Sequence, residues 1–122
     1  MIPVGAVLNS ADNSGAKKLK LIGIPGGSRV RFASVGDVVT VAVSGASSVG
    51  VVKDHSVAKA VIVRTKKEIR RKDGSYLRFS DNAAVLVGKD KVMVGTRIFG
   101  PIAREVRDRG YVKIASLAKE VW

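Results

Sequence analysis

The chain has 122 residues, 46% of them hydrophobic, and a formal net charge of +12. That is enough apolar material for one domain with a genuine core, and the composition is not that of a disordered chain. There is no cysteine, which excludes disulfide frameworks, thiolate zinc sites and cysteine nucleophiles.

Residues 6–9 read as a strand and Asp12-Asn13-Ser14-Gly15 as a turn, with Asp12 and Ser14 closing it. Residues 16–24 return as a strand, with Leu19 and Leu21 facing one way and Lys18 and Lys20 the other. Pro25-Gly26-Gly27 turns again, and Arg29-Val30-Arg31-Phe32 alternates charged and apolar. Residues 38–44 form a strand with Val39, Val41 and Val43 on one face. A small-residue loop at 45–50 leads to strands at 51–53 and 57–67. The longer one is apolar on both faces at Val61-Ile62-Val63, so its middle should be buried and its cationic end should leave the core.

Residues 64–79 then form a hairpin around Asp73-Gly74. Asp-Gly between strand-like runs predicts a two-residue turn with both central residues at positive φ. The hairpin concentrates seven cations (Arg64, Lys66, Lys67, Arg70, Arg71, Lys72 and Arg78) against two carboxylates (Glu68 and Asp73). Residues 83–87 are the last long strand. Pro101 suits a first helical position, Ile102 and Val106 stand four apart, and Gly110 fits the place just past the end, which predicts a helix over 102–109. Residues 116–121 should add another turn or two. Many short strands between turns imply a mainly β fold and a small closed barrel, since closure removes exposed edges. No repeat or linker divides the chain, so 1–122 reads as a single domain.

The function classes narrow quickly. No run reaches the ~20 apolar residues that cross a bilayer, and residues 1–5 do not resemble a secretory signal. No glycine-rich stretch has a nucleotide-binding spacing. His55 is the sole histidine, and its neighbours Asp54 and Ser56 point away from it along the chain, so they cannot align as a triad. The carboxylates are interleaved with cations, as in Lys89-Asp90-Lys91 and Arg107-Asp108-Arg109, an arrangement that suits surface screening better than acid–base catalysis. No enzyme activity, cofactor or metal is expected. The cations remain, and RNA is their leading partner; charge alone fits equally well a free-standing small-barrel regulatory module that binds RNA or DNA. Candidate contacts are Lys17, Lys18, Arg29, Arg31, Lys53, Arg64, Lys66, Lys67, Arg70, Arg71, Lys72, Arg78, Arg104 and Arg107. Aromatic residues make up only 5% of the chain, which favours reading backbone and shape over stacking of unpaired bases.

Four blocks then carry a resemblance. Ala60-Val61-Ile62-Val63, nine residues, Asp73-Gly74, four more, Phe79, two, Asn82, two, and Val85-Leu86 resembles the signature of large-subunit ribosomal protein family fourteen. Asp12-Asn13-Ser14-Gly15-Ala16, Gly95-Thr96-Arg97-Ile98-Phe99-Gly100-Pro101, and Lys113-Ile114 with Ser116-Leu117-Ala118 and Glu120-Val121 are similar to its other characteristic pieces, in the same order. The resemblance implies a five-stranded barrel with a projecting basic hairpin and short C-terminal helices within 101–122. It implies a structural, non-catalytic role on the large ribosomal subunit, binding ribosomal RNA at the face that meets the small subunit. The implied partners are small-subunit RNA across that interface and neighbouring ribosomal proteins. A ribosome-silencing factor would dock at Thr96, Arg97 and Lys113. No membrane is implied; the expected place is a cytoplasmic ribosome, with an organellar one as the other possibility. Asp54-His55-Ser56, Met93-Val94, Leu117-Ala118-Lys119 and the final Trp122 depart from the usual family pattern.

Overall fold

The computed structural model describes residues 2–25, 32–45, 55–88 and 92–122. Its centre is a five-stranded sheet of β2 (Val7–Ser10), β3 (Lys18–Gly23), β5 (Val38–Ser44), β6 (Val57–Arg64) and β9 (Ala83–Val87). The pairings run antiparallel from β2 through β3, β5 and β6 to β9. β9 also pairs with β2, in parallel, through Asn9–Ala83 and Ser10–Ala84. A short pair that composition did not announce, β1 (Ile2–Pro3) with β4 (Phe32–Ala33), adds Ile2 and Ala33 to the core.

Period-two burial explains the sheet. Leu19 and Leu21 of β3 and Val39, Val41 and Val43 of β5 are buried, whereas Lys18 and Lys20 are exposed. One apolar cluster joins these residues to Leu8, Ala60, Ile62, Ala84 and Leu86. β6 and β9 are apolar on both faces because a second cluster covers their other side. Val61, Val63, Ala83, Val85 and Val87 pack there with Ile98, Ile102, Val106, Tyr111 and Ile114. Burial raises the Tyr111 hydroxyl above its ordinary range.

The predicted Asp12 turn forms and does more than close itself. Asp12 Oδ1 accepts from the Ser14 hydroxyl at 2.7 Å and from the Ser10 hydroxyl at 2.8 Å, while Oδ2 accepts from Leu86 N–H at 3.0 Å. A buried carboxylate is thereby satisfied by donors from its own turn and from β9.

The C-terminal third departs from expectation. Helix α1 is only Glu105–Asp108, not 102–109. The Ile102 carbonyl accepts from Trp122 N–H at 2.8 Å, and Val106 N–H bonds Ala103 rather than Ile102. Ile102 N–H in turn donates to Glu120 and Ala103 N–H to Val63. The chain therefore locks onto β6 at Ala103 before it coils. Helix α2 spans Val112–Leu117, earlier than 116–121, because Ile114 and Ala115 supply its buried face. The expected strand at 51–53, most of the 45–50 loop and the Arg29–Arg31 alternation lie outside the described residues.

Candidate nucleic-acid interface

The basic hairpin is built from β7 (Ile69–Arg70) and β8 (Tyr76–Leu77), paired Ile69–Leu77 and Arg70–Tyr76. Its turn is longer than a two-residue Asp-Gly connection. Arg71 N–H donates to Ser75 O at 2.9 Å and Gly74 N–H to Arg71 O at 3.0 Å. Only Gly74, at φ +89°, takes the left-handed conformation; Asp73 does not. This is a three-residue loop in which a tight turn precedes one left-handed glycine. Asp73 caps it: its Oδ1 accepts from the Ser75 hydroxyl at 2.6 Å and from Ser75 N–H at 3.0 Å. Those two bonds, the hydroxyl first, hold the Asp73 carboxyl below its ordinary range. Glu68 is also lowered, first by its own backbone N–H and then by Lys67.

Ile69, Leu77 and Phe79 pack against the second apolar cluster and so anchor one side of the hairpin. Lys66, Lys67, Arg70, Lys72 and Arg78 are exposed. Arg71 is not a free cation, because its Nε lies 2.9 Å from Glu105 Oε1 of α1. Arg64 differs still more from the sequence expectation. It is 9% exposed, and the neighbouring Thr65 is fully buried, so this end of β6 stays in the core. The register of β6 against β9 shifts between Ile62 and Arg64, and a bulge of this kind re-aims a side chain. The guanidinium donates to Phe99 O at 2.8 Å and Pro101 O at 3.2 Å, and its Nε lies 3.1 Å from Asp81 Oδ1. A Cβ on Gly100 would sit 2.2 Å from Arg64 Nη1, so glycine is what lets the 99–101 segment close over the cation.

Off the hairpin, Lys17 and Lys18 are exposed at the start of β3, with Lys18 donating to Asn9 Oδ1. Arg104 and Arg107 are exposed at α1. Arg29, Arg31 and Lys53 lie outside the described residues. Thr96 and Arg97 are exposed on a loop that Asn13 holds from across the fold: Asn13 Oδ1 accepts from Thr96 N–H at 2.7 Å and Arg97 N–H at 3.0 Å. Lys113 is exposed on α2, whose Ile114 shares a cluster with Ile98 of that loop. Among the described residues, no group of three or more His, Asp or Glu is arranged to hold a metal ion.

The family model for ribosomal protein L14p/L23e matches residues 1–122. The chain belongs to this family. It is also 57% identical, over the full length of both chains, to the large ribosomal subunit protein uL14 of Petrotoga mobilis. As an L14p/L23e member it is a non-enzymatic structural protein of the large ribosomal subunit and is associated with cytoplasmic ribosomes of the bacterial type.

Several interactions that organise this L14p/L23e chain escaped sequence reasoning. Asn82 Oδ1 accepts from Lys66 N–H at 2.7 Å and so sets the hairpin root. Asp81 pairs with Arg64 and accepts from Asn9 Nδ2 at 3.0 Å. Short polar residues beside a strand end were the available signal, but sequence alone does not show which distant backbone they bind. Lys20 and Lys59 are exposed cations of β3 and β6 that the expected contact set left out; the alternation of β3 already marked Lys20 as outward-facing.

Proposed function

We propose that the chain binds ribosomal RNA of the large subunit through its hairpin, at the face that meets the small subunit, and contributes there to bridges with small-subunit RNA. One observation carries this reading: Lys66, Lys67, Arg70, Lys72 and Arg78 are exposed together on a hairpin whose other side is anchored in the core. Charges on a rigid mount lose little freedom on binding, and each phosphate they neutralise releases condensed counterions. Arg64 acts as the mount and not as a phosphate ligand, and Arg71 braces the hairpin against α1. Lys17, Lys18, Arg104 and Arg107 form outlying contacts, and Arg29, Arg31 and Lys53 are assigned to RNA on charge alone.

Thr96, Arg97 and Lys113 serve as the docking edge for neighbouring large-subunit proteins and for a ribosome-silencing factor. The Asn13 bonds support this role, because they fix the Thr96 and Arg97 backbone while both residues stay exposed. The five-stranded sheet works as a closed barrel within a single unit spanning 1–122, a reading that the β2–β9 ladder supports. The test is binding of the full chain to purified large-subunit RNA across a salt series. The triple variant Arg70→Ala, Lys72→Ala, Arg78→Ala should bind more weakly and with a shallower salt dependence. An unchanged slope would remove the hairpin from the interface.

A further inference from the structure

A cleft of about 520 Å³ opens between the hairpin and α1, within the size range of small-ligand sites. Its lining has three chemically distinct parts. Ile69, half-buried, supplies most of the apolar surface and Val35, 3% exposed, only a small part of it; both belong to the packing of the second cluster. Arg71 and Glu105 supply a wall in which Arg71 Nε lies 2.9 Å from Oε1 and Nη2 lies 3.5 Å from Oε2. Contact at two points pins the plane of the guanidinium. Arg70, Lys72 and Arg104 supply an exposed cationic rim with no ion-pair partner among the described residues; Asp73, Asp108 and Arg109 also line the cleft, where cations outnumber carboxylates five to three.

A bare phosphate backbone needs only the rim. An apolar surface adds nothing to its binding, and the edge of the Arg71 guanidinium that would grip a phosphate is taken by Glu105. A nucleotide turned out of its stack uses all three, because its base offers a π-face to an arginine plane and to apolar carbon, and its phosphate meets cations. We propose that this cleft receives one unstacked nucleotide of bound RNA, with the base against Arg71, Val35 and Ile69 and the phosphate at Arg70, Lys72 and Arg104. The inference rests on the RNA-binding reading above and adds base contact to it. It also runs against the low aromatic content, which points to backbone recognition alone; here a pinned arginine stands in for the missing aromatic ring.

The test uses the full chain with methyl-labelled Val and Ile, titrated with single-stranded hexa-adenylate, adenosine monophosphate and inorganic phosphate in turn. Anisotropy with duplex RNA measures general RNA binding in parallel. The expected result is a ring-current shift of the Val35 and Ile69 methyl signals with hexa-adenylate. Arg71→Lys should abolish that shift and weaken hexa-adenylate binding roughly tenfold, since an ammonium keeps the charge but not the plane. Glu105→Gln, which loosens the same guanidinium, should reduce the shift in a chain whose circular dichroism matches the parent.

Duplex binding without any methyl shift would overturn the cleft inference and leave the RNA reading intact. Absence of binding to either RNA would overturn both. Equal shifts with inorganic phosphate would reduce the site to an anion site. A shift with adenosine monophosphate but not with hexa-adenylate would make the ligand a free nucleotide and overturn the RNA-borne source.

Discussion

Gly100→Ala tests whether Arg64 is a structural mount. The added Cβ would lie 2.2 Å from Arg64 Nη1 and 3.3 Å from its Cζ. To reach the ~3.5 Å of ordinary non-bonded contact, the guanidinium must retreat by more than about 1 Å. That displacement takes its bonds to Phe99 O (2.8 Å) and Pro101 O (3.2 Å) out of range. Losing one charged hydrogen bond costs about 1.5–3 kcal/mol. Alanine at φ +80° adds roughly 1 kcal/mol of backbone strain. Counting only one of the two bonds, the expected loss is about 2.5–4 kcal/mol, read as a lower urea midpoint by far-ultraviolet circular dichroism. Because the clash acts through the guanidinium, the double variant Arg64→Ala, Gly100→Ala should cost clearly less than the sum of the single variants. A loss below about 1 kcal/mol, or strict additivity, would show that Arg64 swings into solvent freely, and it would then return to the set of candidate RNA contacts.

The other predictions follow from the same placement. Val61→Ala leaves a cavity in the second apolar cluster and should cost roughly 1–3 kcal/mol in urea denaturation. The Arg70→Ala, Lys72→Ala, Arg78→Ala variant should keep the parental urea midpoint while its RNA-binding salt slope falls by about one unit for each phosphate left without its cation. Arg71 will not behave like those three: a double-mutant cycle with Glu105 should return a coupling near ~1 kcal/mol, appropriate to a partly exposed pair. Acidification should loosen the hairpin turn. The folded Asp73 carboxyl lies below its ordinary value of 3.8, so its contribution is complete at neutral pH and disappears as pH falls through the lowered value. The Ser75 amide resonance should follow that titration, and no movement below about pH 4 would contradict the cap.

The one-sided strands were legible because each needed only a period of two. Leu19 and Leu21 against Lys18 and Lys20, and the Val39, Val41 and Val43 face, follow from one buried side. The basic hairpin and its Asp73-Gly74 turn were legible for a similar local reason, although its loop has three residues and glycine alone carries the positive φ. The remaining features depend on distant partners. Arg64 reads as one more hairpin cation until the carbonyls of Phe99 and Pro101 and the carboxylate of Asp81 are seen around it. A helix starting at Ile102 has the right spacing, but Trp122, twenty residues on, takes its carbonyl. The Asn13 clamp on Thr96 and Arg97 joins residues more than eighty positions apart, and no local pattern encodes such a pairing.

The most direct measurement is sucrose-gradient sedimentation of a tagged copy from native lysate, at low and high salt, with mass spectrometry of each peak. The parent chain should stay in the large-subunit peak at high salt, and the Arg70→Ala, Lys72→Ala, Arg78→Ala variant should leave it at lower salt. Recovery of the parent only in light fractions, or equal salt resistance of parent and variant, would contradict a large-subunit protein held to RNA by its hairpin.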